Sequence, residues 1–82
     1  MHIDWKKLAA NLIKGELTRR GLTYEELQKR LLLIGVKETA NSINVKINRG
    51  TFSFVFFLQV MNAIGVKVFR IEELKQINME HA

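Results

Sequence analysis

The sequence contains no cysteine and no proline. Without cysteine there is no disulfide, no thiol chemistry and no thiolate metal site, which suits a reducing compartment. Without proline nothing in the chain forces a helix to stop or kink, so breaks must come from glycine and from capping residues. No apolar run approaches the roughly 20 residues that span a bilayer. The N-terminal Met1-His2-Ile3-Asp4-Trp5 lacks the basic-then-apolar pattern of a signal peptide, and a cytoplasmic location with no membrane partner is expected. Acidic residues are also scarce. Thirteen Lys and Arg stand against eight Asp and Glu, a formal charge of +5 with a pI near 9.9. Such a balance favours a polyanionic partner, nucleic acid before an anionic membrane surface.

Catalytic constellations are missing too. There is no Ser/His/Asp set and no glycine-rich phosphate loop. His2 and His81 stand at the two ends with no ligand partner near them in sequence. Glu25, Glu26, Glu72 and Glu73 read as acids at helix starts rather than as a general acid–base pair. The expectation is therefore a non-enzyme with no cofactor, no metal and no small-molecule substrate.

What is present is 82 residues, 48% of them hydrophobic, enough for one globular domain over 1–82. Gly21, Gly35, Gly50 and Gly65 each follow an apolar-periodic segment, as helix-closing glycines do. The reading is an all-α, compact bundle of four helices, or five if the tail supplies another. The first helix spans about Asp4 to Arg20, with Asp4 as cap and Trp5, Leu8, Ala9, Leu12, Ile13 and Leu17 as its apolar stripe. Gly15 inside it suggests a close packing contact. The second opens at Thr23, where Thr23-Tyr24-Glu25-Glu26 spells a capping box between the staple positions Leu22 and Leu27. The third, about Thr39 to Asn48, is polar, and only Ile43 and Ile47 make a core strip. The fourth, Thr51 to Ile64, is apolar almost throughout. Ser53 caps it, Phe52 and Phe57 staple it, and it reads as the central, nearly buried helix. Its phenylalanines are expected in the core, with exposure of Phe54 or Phe56 on a partner surface as the alternative. From Val66 to Ile77 an extended piece with a helical turn near Glu72-Glu73-Leu74 should pack Phe69 or Leu74 onto the core.

A capped helix, a glycine turn, a polar helix and an apolar helix follow one another as in a helix-turn-helix unit. There the second helix of the pair enters the major groove. Ser42, Asn44, Lys46 and Asn48 supply groups suited to base edges, because Asn pairs with adenine, Lys with guanine, and Ser with either. Arg49, Lys37 and the pair Arg19 and Arg20 are candidates for flanking phosphates. Asn41, Asn44 and Asn48 are poor helix formers crowded into one short helix. No acid occurs from Thr39 to Ile71. A DNA-binding module, a transcriptional regulator or accessory factor, is the leading expectation. A protein-interaction module on the same fold is the alternative, and RNA binding the third. A homodimer is expected, since one short reading helix ordinarily serves paired half-sites.

Gly21-Leu22-Thr23-Tyr24-Glu25-Glu26-Leu27 resembles the start of the helix pair in lambda-repressor-like and Cro-like regulators. Ile47-Asn48-Arg49-Gly50 resembles the end of their recognition helix, and Leu58 to Gly65 their following helix. The stretch between Leu27 and Gly50 is longer than in those repressors. Trp5, Tyr24-Glu25-Glu26-Leu27, Gly35-Val36, Lys46-Ile47-Asn48-Arg49-Gly50-Thr51-Phe52 and Phe57-Leu58-Gln59 together resemble a small bacterial family known only as a domain of unknown function, number 6471. That resemblance covers most of the chain and implies a helical domain with a helix-turn-helix-like core, without an activity.

Overall fold

Four side chains start four helices. The structure, a computed structural model, describes residues 2–68. Asp4 accepts a hydrogen bond from the Lys7 amide at 3.0 Å and begins α1, Trp5–Arg19. Thr23 and Glu26 bond each other's backbone in a complete capping box and begin α2, Tyr24–Leu33. Thr39 accepts from the Ser42 amide and begins α3, Ala40–Arg49. Ser53 accepts from the Phe56 amide and begins α4, Phe54–Ala63. Each hydroxyl or carboxylate satisfies a first-turn N–H that the helix itself leaves without a partner. Phe52 and Phe57 stack across the last of these caps with ring centroids 6.5 Å apart, forming the expected staple. There is no strand among the described residues, so the domain is an all-α, four-helix arrangement.

Three helices close alike. The amides of Leu22, Val36 and Val66 bond back to the carbonyls of Leu17, Leu31 and Met61, and the residue between is a glycine at positive φ. This is the Schellman closure, with an apolar residue following the glycine. Gly50 ends α3 for a further reason. It sits at φ +67°, and a methyl built on it would lie 2.8 Å from the Lys6 Cα and closer still to the Lys6 carbonyl. The end of α3 therefore rests directly on the backbone of the first turn of α1.

The core is one cluster. Ala10, Ile13 and Leu17 come from α1, Leu27 and Leu31 from α2, Ile43 and Ile47 from α3. Phe56, Val60 and Met61 come from α4, and Ile64 from its end. α3 packs against both α1 and α2, and α4, among the described helices, packs against α2. This corrects the expected centrality of the fourth helix. With one neighbour among the described helices, α4 buries one stripe, and Phe54 on the opposite side is 71% exposed. The polar α3 is the inner member of the packing order, because two isoleucines four residues apart meet both neighbours at once. Trp5 is likewise 62% exposed rather than part of the stripe of α1. The backbone of the first turn meets the end of α3 at Gly50, and the buried line starts at Ala10 instead of Ala9.

Gly15 does not mark a close contact. An added methyl would meet only the flexible Arg19 guanidinium, at an ordinary 3.5 Å. Gly15→Ala is therefore expected to raise stability by up to about 1 kcal/mol, through helix propensity and a less free unfolded chain. Urea denaturation of the two proteins checks this, and a loss of stability would mean that the site is crowded after all.

Val66 packs on the core cluster and Val68 is exposed. The rest of the tail, including Phe69, the turn near Leu74 and His81, lies outside the described residues. Among those described, no helix is long and apolar enough to cross a membrane.

Candidate nucleic-acid interface

The position of α3 is set from two sides. Ile43 and Ile47 are wholly buried, which fixes its rotation about its own axis. Gln28 of α2 accepts the Ala40 amide at 2.9 Å, so a side chain of the preceding helix caps the first N–H of α3. At about 100° per residue, the side away from the isoleucines carries Asn41, Asn44, Val45, Asn48 and Arg49. All five are exposed.

This face has two flanks. On one lie the asparagines. The Asn48 side-chain amide donates to the Asn44 backbone carbonyl at 2.8 Å and also to the Asn44 side-chain oxygen. Neither the Asn48 side-chain oxygen nor the Asn44 side-chain nitrogen is used in this pair, so a carbonyl acceptor and an amide NH2 group with two donors are left over from it.

On the other flank lie Ser42, Lys46 and Arg49, and here the structure adds a residue that sequence reading passed over. Glu38 accepts from the Ser42 hydroxyl at 2.7 Å and from the Lys46 ammonium at 2.6 Å. The Lys46 ammonium also stands 5.2 Å from the centre of the Phe56 ring. The acid-free stretch begins one residue after Glu38. The available signal was its spacing of four to Ser42 and eight to Lys46, which places all three on one line once Thr39 caps the helix. Arg49 has no ion-pair partner among the described residues. With Lys46, Thr51, Phe52, Ser53 and Phe56 it lines a cleft of about 310 Å³ where α3 ends and α4 begins.

The Lys46 hydrogen bond first, and the Ser42 hydroxyl second, hold the Glu38 carboxyl below its usual range against a smaller opposing effect of burial. A carboxyl depressed on folding stabilises the protein above its unfolded pKa of about 4.3. That contribution is lost as pH falls through the folded value. Glu38→Gln should therefore be less stable than the parent at pH 7, with the difference lost as pH falls through the lowered folded value. Lys46 is partly solvated, so the effect should stay below about 1 kcal/mol. Denaturation across a pH series checks it; a gap that persists in acid would mean that packing, not charge, is lost.

The remaining expected residues divide. Lys37 is exposed in the connection that leads into α3. Arg19 and Arg20 are at the far end of α1 and both pair with Glu16. Burial raises the Glu16 carboxyl, but the hydrogen bonds from Arg19 and Arg20 outweigh it and the net direction is down. The structure thus brings Ser42, Asn44, Lys46, Asn48 and Arg49 onto one helix with Lys37 at its start, and engages the two arginines elsewhere. The contact at Gly50 also brings Lys6 to the same corner as Arg49, a cation that periodicity alone could not place there. No group of His, Asp or Glu among the described residues could hold a metal ion.

Residues 5–69 match a family described as a domain of unknown function, DUF6471. No curated protein and no solved structure matches the chain.

Proposed function

We propose, starting from the premise that the chain belongs to the DUF6471 family of unknown function, that it is a small DNA-binding module of helix-turn-helix type, a transcriptional regulator or accessory factor. One observation carries the proposal. The outer face of α3 presents amides and an arginine that has no ion-pair partner among the described residues, while its inner face is anchored to two helices. Of the acids among the described residues, all but Glu25 are engaged. Asp4 and Glu26 cap helices, and Glu16 and Glu38 are bridged to cations.

With α3 in the major groove, Asn41, Asn44 and Asn48 meet base edges, where an amide matches adenine. Arg49 and Lys6 meet phosphates, and Lys37 meets them at the other end of the helix. Lys46 and Ser42 engage DNA only by exchanging Glu38 for it. The cations differ accordingly. Arg49→Ala should weaken binding to all sequences alike and lower the salt slope by about one. Lys46→Ala should lower it less. Asn44→Ala should leave the slope unchanged and relax discrimination at one base pair by about 1–3 kcal/mol. Fluorescence-anisotropy titrations over a salt series test the set. A parent protein that binds no DNA at low salt would sink the proposal.

A second reading, a protein-interaction module on the same fold, has its own support. Leu32, Leu33 and Ile34 end α2 exposed to solvent. It becomes the better account if DNA binding is absent.

A further inference from the structure

α4 has no charged residue in its ten positions, in a chain of which 26% is charged. Among the described helices it packs on α2. The side turned from the core carries Phe54, Val55 and Leu58, all exposed, followed one turn on by Asn62. The Phe54 ring is not loose, since it stacks on Phe57 with centroids 6.0 Å apart and planes 20° from parallel. We infer that this face is covered by a second copy of the chain, α4 against α4 across a two-fold axis.

Charge selects both the occupant and the face. A two-fold contact sets each residue near its own copy or that of a neighbour, so a self-complementary surface must avoid like charges. The other exposed apolar group, Leu32 to Ile34, is bracketed by Lys29, Arg30 and Lys37. Pairing two copies there would bring six cations together. The stripe of α4 itself brings none, and the nearest cations along the chain, Arg49 and Lys67, lie beyond its two ends. A ten-residue helix is about 15 Å long, so the stripe falls short of the roughly 800 Å² per partner of a standard interface. The dimer is therefore reversible and concentration-dependent. It does not depend on the nucleic-acid reading.

Sedimentation of the full chain without DNA tests the inference. The apparent mass should rise from one copy toward two between about 10 µM and 1 mM. Raising salt should not weaken association, because the face is uncharged, whereas salt lowers any affinity for DNA. Leu58→Glu and, separately, Val55→Lys should stay monomeric over the whole range with unchanged circular dichroism. Leu33→Glu should dimerise like the parent. A parent monomeric at 1 mM overturns the inference. So does a dimer that survives both α4 variants, or one that only Leu33→Glu dissolves. Failure to bind DNA would leave it standing, and a monomer would leave the DNA reading standing.

Discussion

Gly50→Ala should cost about 3–5 kcal/mol, enough to leave the domain largely unfolded under mild denaturant. Two penalties combine. An alanine at φ +67° enters the left-handed region at roughly 1–2 kcal/mol. Its methyl then drives into the backbone of Lys6, which, unlike a side-chain tip, cannot swing aside. Overpacking of this kind adds typically 1–3 kcal/mol or more. A domain of this length has a stability of only about 4–12 kcal/mol at the usual 0.05–0.15 kcal/mol per residue. Gly35→Ala is the control. It has a similar φ, +81°, but nothing within 4 Å of the added methyl, so it should cost only about 1–2 kcal/mol. The difference between the two midpoints in urea isolates the contact of α3 with α1. Equal losses would mean that the two helices do not approach as closely as they do here.

Phe56→Ala should cost about 3–5 kcal/mol, and Phe54→Ala less than about 0.5 kcal/mol. The two rings are two residues apart and differ only in side. Phe56 is 4% exposed and belongs to the core cluster, whereas Phe54 faces out. Truncating Phe56 opens a cavity beside Val60 and Met61 and removes the ring beneath the Lys46 ammonium. Chemical denaturation at low protein concentration measures both. A large loss at Phe54 would mean that α4 is rotated about its axis. Phe57, expected in the core with the other rings, is half-buried and forms the expected staple with Phe52.

That confusion marks the boundary of what the sequence can express. Helix starts were legible at Asp4, Thr23 and Ser53, and helix ends at the four glycines, because caps and left-handed closures are decided within a few residues. The facing of α3 was legible too, since two isoleucines in a polar segment define a phase. α4 had no such contrast. Phe54, Val55, Phe56, Phe57 and Leu58 give the pattern no direction, so the neighbour on which the helix lies decides which rings are inside. Trp5 was misplaced because the inward face of α1 is set by Ala10, Ile13 and Leu17, and at about 100° per residue Trp5 lies roughly a right angle or more away from that face. Of the candidate site, the asparagines and Arg49 could be read from composition and period. Glu38 was passed over, because its spacing of four and eight to Ser42 and Lys46 has meaning only once Thr39 caps the helix and brings the three into line.

The bond from Ala40 to Gln28 has a kinetic consequence. The opening amides of a helix ordinarily lie open to water and exchange their protons almost freely. Ala40 is different, because its acceptor belongs to another helix. Its proton is released when α2 and α3 part, not when α3 frays. The amide is thus a native clock for the hinge between those two helices, and its exchange rate measures how often that hinge opens.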